Sequence, residues 1–380
     1  MKKIDIVLAG YNGYGQFYAD FLLNNPYRLR YNFRAVADPY LSDEDKIKLA
    51  RLKIERFDDL DAFYRHNNAD MAIIAAPIHF HKPLCEIAAK NGNTVLCEKP
   101  ATARLCDLLE MHGYEQKYGK DIFIGFQWSF CEPILRLKQD LMNGEFGKII
   151  SAKSIVLWGR DLAYFNRTTG WAGKIKTKDG AYVYDSVASN ATSHYLNNLL
   201  FLLGSSMETS ANVRKIDAQC RKANPIESFD TCVIKVKTEE NQDILFVASH
   251  AATEDLGPVF EICCEKAVIS CDFTKNNGAL TASLIGGQTK EYGEVNTLYQ
   301  SQKKIIDVIG WLNGSSNIKP PSTVMTVKPF TEIIDYIFTQ AEFRKFEKGV
   351  IFDETNQRFY VENLSSELFE IYQRSGSVTD

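Results

Sequence analysis

The sequence predicts an α/β chain of two domains. A doubly wound parallel sheet is expected over residues 1–126, and an α+β domain with an open, mostly antiparallel sheet over 127–380. Three observations carry this reading. An almost continuous apolar run, "IDIVLAG" at 4–10, leads into the glycine loop "GYNGYG" and then into a stretch of helical period. Short apolar runs then alternate with amphipathic ones as far as residue 126, as doubly buried strands and their crossover helices do. From about residue 149 the texture changes, and strand-like runs follow one another with only turns between.

The elements follow in order. "GQFYADFLLNNP" pairs Phe17 with Phe21 and Tyr18 with Leu22 at helical spacing, and Asn25-Pro26 stops it. "NFRAVADP" (32–39) and "MAIIAAP" (71–77) read as strands, and "HKPLCEIAAKNG" as a helix closed by Asn91-Gly92. "TVLCEKP" (94–100), a further helix and "IFIGFQ" (122–127) complete the first series. Beyond it, "IISAKSIVLW", "FDTCVIKVKT", "DILFVASH", "PVFEICCE", "KAVISCD" and "ALTASLI" read as strands, several of them alternating polar and apolar residues. One helix at about 189–203 interrupts them, and others are expected near 296–312, 328–346 and 361–374, so that 328–374 is a helical C-terminal part.

Composition narrows the function classes. The 45% hydrophobic and 24% charged residues are those of an ordinary globular protein. A net charge of -4 without a basic stripe argues against a nucleic-acid partner. No run approaches the ~20 apolar residues that span a bilayer, so no membrane partner is expected, and Asp5 breaks any signal-like core in "MKKIDIVLAG". The nine cysteines are scattered, with no C-x-x-C pair, which implies free thiols in a reducing compartment and a cytoplasmic address. No His, Cys and carboxylate spacing points to a metal.

In open α/β sheets, ligands bind at the carboxyl ends of the strands. The first end holds Gly10, Tyr11, Asn12, Gly13, Tyr14 and Gly15, a G-x-G-x-x-G loop with asparagine in its middle position. Asn tolerates a positive φ, so Asn12 is expected to keep the turn, while Gly13 lets backbone N–H groups face a pyrophosphate at the helix N-terminus. Asp38 closes the second strand, where an acid suits two ribose hydroxyls and repels a 2′-phosphate; NAD is therefore expected over NADP. The fourth end brings Ala76, Pro77, His79 and His81, the histidines being equally at home as capping or packing residues. Glu98 and Lys99 end the next strand before Pro100, whose peptide bond is a candidate for the cis form, and Gln127 follows the last strand. Lys99 reads as an ammonium at the mouth of the cofactor cleft.

These stretches resemble the glucose–fructose oxidoreductase, inositol dehydrogenase and MocA family. The matching segments are "AGYNGYG", "ADP" at 37–39, "AAPIHFHKPLCEIAAKNGNTVLCEKP" at 75–100 and "GEFGKIISAK" at 144–153. The resemblance implies a Rossmann domain with NAD, and a substrate domain whose second signature is an Asp-x-x-x-His step before a helix ending in Leu-Gly. That step is "NATSHYLNNLLFLLG" (190–204), where His194 matches the family histidine but Asn190 fills the aspartate slot and Asn197 replaces a second acid. Asn190, His194 and Asn197 are expected on one helical face, with Asp185 able to supply a carboxylate. Where the family often has an arginine, this chain has Gln127-Trp128-Ser129, and "GWAG" (170–173) with Tyr164, Arg167 and Tyr182 suggests a wall for a polyhydroxylated ligand.

The resemblance implies a dehydrogenase or reductase acting on a secondary alcohol or ketone of a sugar or cyclitol. Lys99 would orient the substrate oxygen and His194 would take the hydroxyl proton. Other members cleave glycosides by transient oxidation with NAD kept bound, and others keep the fold as cofactor sensors or regulators. Lys99 and His194 favour an enzyme; the absent acid at 190 favours a sensor. A homodimer or homotetramer through the C-terminal sheet is expected.

Overall fold

The computed structural model describes residues 2–167, 170–295 and 297–374. It divides into two compact units, residues 1–130 with 297–327, and residues 131–296 with 328–380.

The first unit begins β1 (Ile4–Ala9), α1 (Tyr14–Asn24), β2 (Tyr31–Ala37), α2 (Asp43–Arg51) and β3 (Glu55–Phe57). It continues α3 (Leu60–Tyr64), β4 (Met71–Ile74), α4 (His81–Lys90), β5 (Thr94–Cys97), α5 (Leu105–Tyr118) and β6 (Ile122–Ile124). The six strands are parallel and ordered β3-β2-β1-β4-β5-β6. The order reverses between β1 and β4, so the loops after these two strands diverge and leave a crevice. β4 and β5 are buried along their whole length, as continuous apolar runs covered on both faces must be. β3 has no counterpart in the sequence reading, because three residues, two of them charged, carry no period. Local chemistry sets the helix ends. Ser42 caps α2 through the Asp45 N–H with three acids in the first turn, and Gly119, at φ 65, closes α5.

The second unit opens with α6 (Glu132–Met142), β7 (Ile149–Leu157), α7 (Leu162–Phe165), a π-helical turn (Val187–Ala191) and α8 (Ser193–Leu202). β8 (Val213–Lys222), β9 (Thr231–Thr238), β10 (Asp243–Ser249) and β11 (Leu256–Cys264) follow. β12 (Ala267–Asp272), β13 (Ala279–Leu284) and β14 (Thr289–Glu294) precede α9 (Thr297–Leu312). The chain ends with α10 (Lys328–Gln340), β15 (Phe343–Lys345), β16 (Val350–Asp353), β17 (Arg358–Val361) and α11 (Leu364–Arg374). Nine strands form one sheet, β14-β13-β12-β11-β7-β10-β9-β8-β15, parallel only at β7–β10 and β8–β15. β16 and β17 form a separate hairpin.

Four differences from the sequence reading have physical reasons. Residues 297–327 return to the first unit instead of belonging to the second domain, because Ile305, Val308 and Ile309 of α9 complete the core formed by Leu8, Ile73, Leu96 and Phe123. The helix expected to reach 346 stops at Gln340, and Phe343–Lys345 pairs with β8 instead. β8 is rich in charge, so its alternation is faint in the sequence. The sheet face expected to need a second copy is covered in the middle by α11, whose Leu364, Leu368 and Tyr372 pack on Ile155, Leu157, Val233, Leu245 and Val247.

α6 carries Lys138 with none of its surface exposed. Its ammonium donates to the Thr209 carbonyl oxygen at 2.6 Å and lies 3.6 Å from the centroid of Phe201. Burial pushes its pKa down from 10.5 to about 7. Between those values the unfolded chain binds the extra proton, so this group makes stability rise with pH across that window. Lys138→Met is therefore expected to be more stable than wild type at pH 6, with the difference shrinking towards pH 10. Urea denaturation of both proteins along that pH series checks it; a constant difference would contradict the buried charge.

Candidate functional site

β1 ends at Ala9, and the chain turns through Gly10 (φ 85) and Gly13 (φ 63). A Cβ on Gly10 would lie 2.8 Å from the Ala75 and Ala76 backbone, and one on Gly15 would run into the Gly10 carbonyl oxygen. The outer glycines thus permit close approach, while Gly13 supplies the left-handed residue. Asn12 does not take the positive φ expected of it; with Gly13 beside it, its amide is free to reach the Tyr40 carbonyl oxygen at 3.1 Å. Asp38 holds the loop from below. Its Oδ2 accepts the Tyr11 N–H at 2.7 Å and the Asn12 N–H at 3.4 Å, and its Oδ1 accepts the Tyr40 N–H at 2.8 Å. The Tyr11 ring is buried in the core, whereas Tyr14 is exposed and stacks on Phe17.

α1 starts after Gly13 with no side-chain cap and no acid in its first turn. A Cβ at Gly13 would meet nothing within 4 Å. An uncapped helix N-terminus beneath open space, at the strand-order reversal, fits a pyrophosphate.

At the next strand ends, Ala76, Pro77 and His79 are half-buried, and the His79 ring lies 4.1 Å from that of Phe80. His81 is buried between two strand-end loops. Its Nε2 is 2.8 Å from the Ala76 carbonyl oxygen and its Nδ1 2.9 Å from that of Pro100, so the ring ties the loop after β4 to the loop after β5. Burial pushes its pKa down even though both carbonyls favour the charged ring.

Glu98 is likewise turned into the protein. It forms an ion pair with the completely buried Lys304 of α9, accepts the Tyr18 hydroxyl at 2.5 Å, and accepts the Lys99 N–H at 3.1 Å. Burial would raise the Glu98 pKa, but Lys304 and Tyr18 outweigh it and hold the carboxyl below its ordinary value. The Lys304 ammonium also lies 4.9 Å from the Tyr18 centroid and 5.2 Å from that of Tyr14. Sequence reasoning missed Lys304; the signal was a lysine inside the apolar run of "QKKIIDVIGWL". Lys99 itself is half-buried and its bond to Pro100 is cis. Gln127 is buried in the 3-10 turn Gln127–Phe130.

Lys304→Met leaves the Glu98 carboxylate buried without its cation and is expected to cost roughly 3–5 kcal/mol, measured from urea midpoints. Adding Glu98→Gln should recover most of the loss. A single variant as stable as wild type would show that the pair does not hold this strand end.

The second unit places the other candidates. Ser186 and Ser189 cap the π-helical turn reciprocally. Asp185, just before it, accepts the Gly173 N–H at 2.6 Å and the Asn190 side-chain N–H at 2.8 Å. Asn190 and His194 are both half-buried. The continuous helical face expected for Asn190, His194 and Asn197 is broken, because α8 begins only at Ser193, after the π turn.

Tyr164, Arg167 and Trp171 do come together, with the Arg167 guanidinium 4.5 Å from the Tyr164 centroid and 4.8 Å from that of Trp171. Tyr182 packs elsewhere, on Tyr184 and the Lys176 ammonium. Sequence reasoning missed His250, at the end of β10, whose ring is 5.5 Å from Tyr164. Its Nδ1 lies 2.9 Å from the Trp158 carbonyl oxygen, and its buried Nε2 has no hydrogen-bond partner among the described residues. Burial, with Arg160 and Arg167 nearby, outweighs the hydrogen bond to Trp158 and pushes its pKa down to about 3. The neutral ring thus donates from Nδ1 and presents a lone pair at Nε2. Among the described residues, no group of three His, Cys, Asp or Glu side chains is placed to hold a metal ion.

Residues 4–126 match the family model described as oxidoreductase family, NAD-binding Rossmann fold. A 1-carboxy-3-chloro-3,4-dihydroxycyclo hexa-1,5-diene dehydrogenase of Comamonas testosteroni is 30% identical over 113 residues, 28% of this chain and 28% of that protein. A 2,7-anhydro-N-acetylneuraminate hydratase of Escherichia coli is 25% identical over 248 residues, 61% of this chain and 59% of that protein. The chain thus spans between about a quarter and three fifths of the length of these curated relatives. The WlbA dehydrogenase of Bordetella pertussis, solved with NADH and UDP-GlcNAcA, has the same fold: TM-score 0.72 at 20% identity, covering 90% of this chain and 97% of that one. Over residues 4–126 the chain thus matches the NAD-binding Rossmann domain of the glucose–fructose oxidoreductase, inositol dehydrogenase and MocA family of oxidoreductases.

Proposed function

We propose that the chain is an NAD-dependent oxidoreductase acting on a secondary alcohol or ketone of a sugar or cyclitol. The observation that carries the reading is the uncapped N-terminus of α1 at the strand-order reversal, cleared by Gly10, Gly13 and Gly15. The relatives add to it, since one is named a dehydrogenase of a dihydroxylated ring and another acts on an anhydro sugar. When bound, the nicotinamide supplies the hydride acceptor or donor. The chain's own residues do the rest. The α1 N–H groups hold the pyrophosphate, Lys99 orients the substrate oxygen, and His194 accepts the hydroxyl proton, with Asn190 and Asp185 as its positioning neighbours. Ala76, Pro77, His79 and Gln127 line the cofactor's path. We also assign the protein to the cytoplasm, and to a homodimer or homotetramer formed by the part of the large sheet that α11 leaves uncovered. Among the described residues, no helix is long and apolar enough to cross a membrane.

Titrating NAD+ and NADP+ against protein fluorescence tests the cofactor. NAD+ is expected to bind more tightly, because the Asp38 carboxylate faces a 2′-phosphate with like charge. Asp38→Ser should narrow the gap and also weaken NAD+, since the Tyr11 and Tyr40 N–H groups lose their acceptor. Equal affinities in wild type would remove Asp38 from the ribose site.

A polyol and sugar panel followed at the nicotinamide absorbance tests the reaction. Lys99→Ala and His194→Ala are expected to keep their melting temperatures and to lose about 10²–10⁴ in kcat. Near-full turnover by either variant would overturn its assigned role.

A further inference from the structure

The loop after β7 and the turn between β16 and β17 face each other, tied by the Leu162 N–H donating to the Gln357 carbonyl oxygen at 2.8 Å. Between them lies a cavity of about 420 Å³, lined by Gly159, Arg160, Asp161, Tyr164, Asn356 and Arg358. This is within the size range of small-ligand sites, roughly 300–1,000 Å³.

The charges around the cavity have unequal duties. The carboxylates hold the loops. Asp161 accepts the Tyr164 N–H at 2.8 Å as the cap of α7, and Asp255 accepts the Gly159 N–H at 2.8 Å. Asp353 accepts the Thr355 and Asn356 N–H groups at 3.0 Å each and the Asn356 amide at 2.7 Å, standing 4.0 Å from Arg358 Nε. The cations are less engaged. Arg358 donates one N–H to the Thr253 carbonyl oxygen at 3.1 Å, and its buried Nε has no hydrogen-bond partner among the described residues. Arg160 packs against two rings, its guanidinium carbon 5.6 Å from the Trp158 centroid and 5.0 Å from that of Tyr164. Its Nε is also buried without a partner among the described residues.

Apart from the Arg358 bond to Thr253, neither guanidinium is hydrogen-bonded among the described residues, and a charged oxygen in the cavity both residues line is the partner that their outer N–H groups fit. Two planar guanidinium groups, one immobilised on aromatic faces, match the forked geometry of an oxyacid. A neutral polyol has no charge to set against them. Tyr164 connects the cavity to the rest of this unit's site: its ring is 5.5 Å from His250, and the Asp185 charge reaches its hydroxyl.

We propose that this cavity is an anion subsite, in which Arg160 and Arg358 hold the carboxylate or phosphoryl group of an acidic sugar and Tyr164 donates its hydroxyl. That the anion is carried by a sugar rests on the function proposed above; the subsite itself rests on the two arginines.

Titration calorimetry of the purified protein with D-glucuronate, D-glucose 6-phosphate and D-glucose tests it. At least one acid is expected to bind ten-fold or more tightly than glucose; preference for glucuronate assigns a carboxylate, and preference for the ester a phosphoryl group. Arg160→Ala should abolish the difference, and Arg160→Lys should restore only part of it, because the charge returns without the fork. Arg358→Gln probes the opposite wall and should also weaken the acid selectively. The readout uses neither cofactor nor turnover, so it stands even if no sugar is oxidised. Equal binding of all three sugars, or an Arg160→Ala protein that still prefers the acid, would overturn the subsite.

Discussion

A buried ion pair governs the mouth of the parallel sheet. Lys304 reaches in from a helix some two hundred residues away in sequence and meets Glu98 at the end of β5. Two charges removed from water are stable only when each finds the other and further hydrogen bonds besides. Tyr18 from α1 and the Lys99 N–H supply those bonds to the carboxylate. One contact therefore joins α1, β5 and α9, and sets the backbone from which Lys99 projects. It also accounts for the path of the chain, since residues 297–327 belong with the first sheet although they follow the whole second one.

Within each unit, further polar groups hold the scaffold. Asp38 braces the glycine loop, His81 ties two strand-end loops, and Asp185 joins the Gly173 backbone to the Asn190 amide. Each fixes backbone at a position where a sequence pattern suggests contact with cofactor or substrate. Buried nitrogens without a hydrogen-bond partner among the described residues include those of His250 at the end of β10, Arg160 after β7 and Arg358 on the last hairpin. A buried donor or lone pair without a partner is expensive in a folded protein, which is why such groups are few beside those that are paired.

What the sequence by itself determined was the set of elements and residues that local rules control. The apolar strands, the glycine loop and the acid after β2 are short-range patterns, and they sufficed for the parallel sheet, the glycine loop's place at the β1–α1 turn and the family resemblance of residues 4–126. Gly10 and Gly15 were legible because only a missing Cβ permits the approach they make. Tertiary structure alone decided what depends on partners distant in the chain. Lys304 and Glu98 are separated by more than 200 positions, α11 covers strands β7, β9 and β10, which end more than a hundred residues before it, and Arg160 meets Arg358 across a cavity whose walls have no common period. A π turn displaced Asn190 from the helix carrying His194, a change of register that residue spacing does not record. Periodicity reports which face of an element is buried, but not which charge waits on the other side; that is settled only when the chain closes on itself and burial makes every unpaired charge costly.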